Sequence, residues 1–218
     1  MMICCVFAIG ICFGTPHAFA GEQMWTFDKD ASDWKAANGT WAVQDGAYKV
    51  TKGAPAMHSL VGDTSWTDYT LEAKVRFDEG NWAGLVVRAQ SDMEYYVYYL
   101  NVPDNKSELW RHKAGAFDAR DAITSNIPAK NVAIKGGEWL NVKVVVEGTT
   151  FKFWINNELQ GEQTDNVYPA GQIGVWAWDT SASFDDVKVS GAGIPGSVTP
   201  VQPQGKLATR WGQIKGNY

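Results

Sequence analysis

Two tryptophans stand two residues apart in the stretch GQIGVWAWDTSASFDDVKV, Gly171 to Val189. Alternation with period two puts Ile173, Val175 and Ala177 on one side of such a strand and Gly174, Trp176 and Trp178 on the other. A solvated strand face usually carries Thr, Lys or Glu, so paired indoles there call for a reason. Indole rings give flat apolar area at low entropy cost, the surface on which the C–H face of a sugar ring can stack. In YTLEAKVRF and WAGLVVRAQ, Glu72 and Arg88 fall opposite the apolar positions of their own strands. They would supply the directional hydrogen bonds that hydroxyl groups require. With Tyr96, Tyr98 and Leu100 of EYYVYYLNV in the core, Tyr95 and Tyr99 face the same groove. Trp110 and His112 share one face of the next strand and sit at the groove's edge. The competing arrangement packs Trp176 and Trp178 under the segment Ala116 to Gly137 as a second small core, with Arg88 tied structurally to Glu72.

Catalysis makes stricter demands on the same residues. Glycosidic hydrolysis usually needs two carboxylates, about 5 Å apart or about 6.5–9.5 Å apart. In-strand carboxylates on the groove side are few, chiefly Glu72 and Glu108. An elimination needs less, one base beside an electrophile. Glu72 with Arg88 or His112 meets that requirement, which makes Glu72 the candidate catalytic residue.

The elements that would position these groups are strands. Helical periodicity is nearly absent, and short alternating runs recur between Gly, Asn and Asp turns. WAVQDGAYKV predicts a hairpin turning on Asp45-Gly46. TFKFWINNE pairs with WLNVKVVVEG across Gly148-Thr149, and Ala116 to Gly137 reads as loop with weak strand character near Ala122-Ile123. Eleven to thirteen strands are expected, enough for two packed sheets.

The first 20 residues carry no charge and end in Ala18-Phe19-Ala20, the small-x-small form of a secretory cleavage site. Residues 1–20 are expected to be a signal peptide, residues 21–190 one β-sandwich domain, and residues 191–218 a Gly/Pro-rich linker and basic tail. All three cysteines lie within the first 20 residues, so the processed chain has no disulfide. Processing is also expected to leave no transmembrane anchor. The net charge of −5 argues against a nucleic-acid surface. A secreted or bacterial envelope location, periplasm included, fits export without disulfides.

The series TFDKDASDWKAANGTWAVQDGAYKV, DYTLEAKVRF, WAGLVVRAQSDMEYYVYYL, EWLNVKVVVEGTTFKFWINNELQGE and GQIGVWAWDTSASFDDVKV resembles concanavalin A-like (laminin-G-like) jelly-roll domains. It is most similar to the group known as 3-keto-disaccharide hydrolase domains. The resemblance spans about Trp25 to Ser190 and implies an all-β jelly-roll sandwich of two antiparallel sheets that holds glycans on a concave face. It implies a fold more than an activity, since lectins, binding modules and glycosidases share that fold. The Glu-x-Asp-x-x-Glu signature of family-16 glucanases is absent, and Ala31-Ser32-Asp33-Trp34 stands where the hydrolase group often has Leu-x-Gly-Trp. Such jelly rolls often bind calcium near the first and last strands, where Asp28 and Asp185 offer hard oxygen ligands, and parity with Val187 and Val189 turns Asp185 toward the interior side. The tail's KLATRWGQIK resembles a short signature closing some exported bacterial proteins, which implies an envelope partner for it. The expected function is that of an exported carbohydrate-binding module using an aromatic concave groove. A glycoside-processing enzyme of the 3-keto-disaccharide type is the first alternative, and a structural surface protein the second.

Overall fold

The computed structural model describes residues 21–196. The expected signal peptide and most of the tail lie outside these residues. Among the described residues the structure is all strand and turn, and no helix is long and apolar enough to cross a membrane. In chain order the strands are β1 (Gly21–Trp25), β2 (Lys35–Asn38), β3 (Thr40–Gln44), β4 (Ala47–Thr51), β5 (Met57–Val61), β6 (Tyr69–Glu79), β7 (Trp82–Ala89) and β8 (Tyr95–Asn101). They continue with β9 (Lys106–His112), β10 (Arg120–Pro128), β11 (Leu140–Glu147), β12 (Thr150–Ile155), β13 (Glu158–Thr164), β14 (Gln172–Trp178) and β15 (Ser181–Gly191). Sheet A runs β13-β12-β11-β6-β15-β4-β3, with β1 also on β15; sheet B runs β10-β9-β8-β7-β14-β5-β2. Every pairing is antiparallel.

Local sequence dictates these elements directly. Asp45 and Gly46 take φ of 53° and 70°, the two left-handed residues of a type I′ turn, and β3 pairs with β4 around them. In β6 the alternation is complete: Leu71, Ala73, Val75 and Phe77 are buried, and Thr70, Glu72, Lys74 and Arg76 are half-buried on the outer face. The main core lies between the sheets. It joins those β6 residues to Val142, Val144 and Val146 of β11, Leu85 and Val87 of β7, and Tyr96, Tyr98 and Leu100 of β8. Tyr98 stacks on Phe153 with centroids 4.2 Å apart. Burial of this aliphatic and aromatic surface is the main favourable term for such a body.

Two β-bulges invert the alternation, and both correct the sequence reading. In β7 the pairing with β14 shifts after Val86, and Arg88 takes φ of 51°. Val87 and Arg88 then both turn inward, while Ala89 joins the outer face. In β15 the bulge falls at Asp185-Asp186, with φ of 46° at Asp186. Both aspartates face outward there, although simple parity groups Asp185 with buried Val187 and Val189. A third difference concerns Ala116 to Gly137. Its centre is a strand, β10, whose pairing with β9 shifts register twice. An edge strand half-exposed on both faces, RDAITSNIP, carries no hydrophobic alternation to betray it.

Candidate functional site

The outer face of sheet B is aromatic because its registers bring rings together. One cross-strand row reads His58 (β5), Trp176 (β14), Gly84 (β7), Tyr99 (β8) and Glu108 (β9). A neighbouring row holds Trp178, Trp82 and Asn101, and another holds Tyr95, His112 and Arg120. Gly84 sits between two large rings. With no side chain there, Tyr99 and Trp176 stack over it, centroids 5.0 Å apart and planes 21° apart.

This face is concave. His58 and Tyr95 are three strands and two rows apart, a backbone separation of roughly 20 Å in a flat sheet. Their ring centroids are nevertheless 4.8 Å apart. Arg120, at the far edge, lies 4.2 Å from the ring centroid of Trp178 and 4.9 Å from that of Trp110. The sheet curls, and the β9–β10 hairpin folds its tip back over the hollow.

The tip divides the face in two. Beneath Phe117, the rings of His58, Tyr95 and His112 are wholly buried. His112 stacks on Tyr95 at 4.5 Å. Each histidine donates its Nδ1–H to a backbone carbonyl, His58 to Ala56 at 2.8 Å and His112 to Phe117 at 3.0 Å. Carbonyls only accept, so His112 is the Nδ1–H tautomer, and among the described residues neither Nε2 makes a hydrogen bond. Burial pushes the His112 pKa down to about 3 and lowers that of His58 in the same sense. The other half is open. A recess of about 250 Å³ is lined by Trp82, Tyr99, Arg120, Trp176 and Trp178.

Glu108 anchors the recess from behind. It is 5 % exposed. It accepts hydrogen bonds from Tyr99 Oη (2.8 Å), Trp110 Nε1 (2.8 Å) and Asn101 Nδ2 (3.0 Å), with Lys106 Nζ 3.5 Å away. Those donors occupy its lone pairs and fix the two rings. Burial, then the hydrogen bond to Glu108, push the Tyr99 pKa far up, so it remains a neutral phenol.

The candidates read from sequence are distributed as follows. Tyr99, Trp176 and Trp178 line the recess, although Trp176 is only 2 % exposed. Trp110 stands at its edge against Arg120, whereas Tyr95 and His112 share the face but are sealed under the hairpin tip. Arg88 is not in the groove. The bulge turns it inward, where its guanidinium donates to the Thr67 carbonyl at 3.0 Å and lies 5.5 Å from the Phe151 ring centroid. Glu72 is on the outer face of sheet A, paired with Lys188 at 2.8 Å. The whole sandwich separates it from Arg88's strand and from His112, so no Glu72-centred acid–base pair forms. Asp28 accepts the Thr26 hydroxyl at 2.6 Å. Beside Asp185, Asp186 pairs with Lys74 at 2.6 Å. Among the described residues no three His, Cys, Asp or Glu side chains come together to hold a metal ion. Sequence reasoning missed Trp82, Arg120, His58 and Phe117. Trp82 was findable, since it shares parity with Gly84 and opposes core Ala83. Arg120 was not, because it lies in the segment read as loop.

A two-sheet antiparallel sandwich with a curled, ring-lined sheet is a concanavalin A-like jelly roll. Solved structures share it: a carbohydrate-binding module CBM66 from Bacillus subtilis superposes with a TM-score of 0.63 at 23 % identity, covering 72 % of this chain and 94 % of that one. A Bacillus licheniformis β-glucanase gives 0.51 at 10 % identity, covering 78 % and 97 %. At these identities the likeness is one of fold. The chain belongs to the 3-keto-alpha-glucoside-1,2-lyase-like domain family, whose model matches residues 25–190. Among curated relatives, a levanase of Bacillus subtilis (strain 168) is 26 % identical over 163 residues, 74 % of this chain and 23 % of that protein. An extracellular exo-alpha-L-arabinofuranosidase of Streptomyces chartreusis is 31 % identical over 144 residues, 64 % of this chain and 17 % of that protein. The chain thus spans less than a quarter of either relative's length.

Two outcomes follow from this geometry. An ideal Cβ on Gly84 would lie 2.1 Å from the Tyr98 carbonyl oxygen and 2.4 Å from Tyr99 Cα. Gly84→Ala is therefore expected to lower unfolding free energy by about 1–3 kcal/mol, measured by urea denaturation. An unchanged midpoint would contradict the close approach. The second outcome concerns pH. Unfolded imidazole takes up a proton near pH 6.5, whereas folded His112 stays neutral to about 3. The unfolded state binds more protons between those values, so His112's contribution is complete above about pH 6.5 and is lost as pH falls toward 3. The limiting slope is about 1.4 kcal/mol per pH unit per imidazole. Urea titrations from about pH 7 to 5 should show a shallower decline in His112→Gln than in the parent.

Proposed function

We propose that the chain is an exported carbohydrate-binding module whose ligand occupies the recess on sheet B. One observation carries this reading: a water-open hollow of about 250 Å³ whose lining is four aromatic rings and one guanidinium. Sugars present an apolar C–H face rimmed by hydroxyls. Indole and phenol faces match the first, and in-plane N–H groups match the second. The volume lies just below the usual range of small-molecule sites, about 300–1,000 Å³, and suits one or two rings rather than a long chain laid along a groove. Relatives point the same way. The levanase and the arabinofuranosidase match over a module-sized part of their length, and a carbohydrate-binding module shares the fold across nearly all of its own chain. The extracellular arabinofuranosidase supports export, with residues 1–20 as the secretory signal. The partner is a glycan, and the tail's envelope partner remains a proposal outside the described residues.

The family's name favours a second reading, elimination on a 3-keto glycoside. It needs a free base at the recess. Among the described residues Glu108 is the carboxylate hydrogen-bonded to that lining, through Tyr99, and three hydrogen-bond donors already hold it. Incubating the protein with a 3-keto glucoside and assaying for the eliminated product separates the readings, since turnover would overturn binding alone.

A glycan array with wild type and two single variants tests the main reading. Trp178→Ala, at the recess mouth, should weaken binding about tenfold or more while leaving the melting temperature nearly unchanged. Trp176→Ala removes a buried ring and should cost about 3–5 kcal/mol of stability as well. Silence of the wild type on every glycan would sink the proposal.

A further inference from the structure

Among the described residues Arg120 has no acidic partner, which sets it apart. The described body contains four arginines. Arg76 pairs with Asp78 at 2.7 Å, Arg111 with Asp165 at 2.7 Å, and Arg88 approaches Asp68 at 3.7 Å. Asp121, next to Arg120 in sequence, is taken by Arg111 and Lys113 at 3.1 and 2.7 Å. Among the described residues no carboxylate pairs with Arg120. Its one hydrogen bond goes to the Asp118 carbonyl at 3.1 Å. A guanidinium has five N–H donors in one plane, so most of the fork is unclaimed at the recess wall.

The rest of the lining is also rich in donors and poor in acceptors. Trp82, Trp176 and Trp178 contribute indole N–H groups, which only donate. The Trp176 N–H is buried toward Tyr95 in the sealed half, so the donors open to a ligand are those of Arg120, Trp82 and Trp178. Tyr99 spends its hydroxyl proton on Glu108 and keeps only its oxygen to accept. A neutral sugar hydroxyl donates as well as accepts, and this wall takes few such protons. An anionic oxygen group asks for donors alone. The indole rings of Trp178 and Trp110 lie 4.2 and 4.9 Å from the guanidinium and hold it at the recess wall. Edge-on approach is the geometry of the bidentate arginine–carboxylate pair.

Building on the glycan reading above, we infer that the recess selects an acidic sugar, one that offers a carboxylate or sulfate ester to Arg120 while its ring packs on the tryptophans. The protein as a whole is acidic, with a net charge of −5, so this local cation is no product of a generally basic surface. A neutral glycan would fill the same hollow without engaging the fork.

Calorimetric titration of the full chain tests this with three matched probes: an oligogalacturonide, its fully methyl-esterified form and a sulfated galactan oligosaccharide. The free acid is expected to bind about ten- to a hundredfold tighter than its ester, the worth of one charge-assisted contact. The preference should shrink as salt is raised. Arg120→Gln should abolish it, and Arg120→Lys should keep a reduced fraction, since a point charge replaces the fork. A sulfated oligosaccharide that outbinds the uronate would identify the sulfate ester as the source of the anion. Equal or tighter binding of the neutral ester by the wild type would overturn the acidic-sugar inference while leaving the glycan site standing. Absence of binding to all three and to neutral glycans would overturn both. The wild-type comparison of acid with ester stands whether or not the variants fold.

Discussion

Gly84 lies between Tyr99 and Trp176 in one cross-strand row, and the backbones there approach so closely that no side chain fits. The two rings close over the gap and stack. That stack is the floor on which the open recess and the sealed half both rest. Trp176 leans one way toward Trp178 at 6.1 Å and the other way toward His112 at 6.1 Å, so one buried ring couples the two halves. Any side chain at position 84 would separate the rings that make the hollow continuous.

Polar groups on this face fall into two kinds. Glu108 is surrounded by donors and holds Tyr99 and Trp110 in place, which is the way a buried charge becomes tolerable. The histidines are handled differently. Burial keeps them neutral, each uses one nitrogen on a carbonyl, and among the described residues the second nitrogen makes no hydrogen bond. Such orphaned acceptors cost stability, and they lie under the one part of the face that the hairpin tip covers.

Much of the fold was legible because alternation and turn chemistry are local. The β3–β4 turn, the inward set of β6, and the split of β8 into inward Tyr96, Tyr98 and Leu100 against outward Tyr95 and Tyr99 all follow from period two. The aromatic character of the Trp176–Trp178 side was legible for the same reason. Arg88 and Asp185 were misplaced because a bulge adds one residue to a strand and reverses parity beyond it, and nothing in VVRAQ or FDDVKV marks the insertion. Glu72 was misplaced for another reason: parity gives the face of a strand but not the sheet to which it belongs. Arg120 escaped because an irregular edge strand has no periodic signature. The burial of Tyr95 and His112 depended on a tip that folds over a curved face, which no local pattern encodes.

The β9–β10 hairpin carries Glu108, Trp110, His112, Phe117 and Arg120, five of the groups that shape the concave face, on one stretch of chain at the border of sheet B. The stacked floor comes from inner strands instead. The cation of the recess and its ring floor are thereby carried on separate pieces of sequence. Leu109 and Ile127 tie the hairpin to the main core, so it is the tip beyond His112 that can change length and composition without repacking the sandwich. Grafting a different hairpin tip onto this frame would be the economical way for natural variation, or an engineer, to redirect what the hollow accepts.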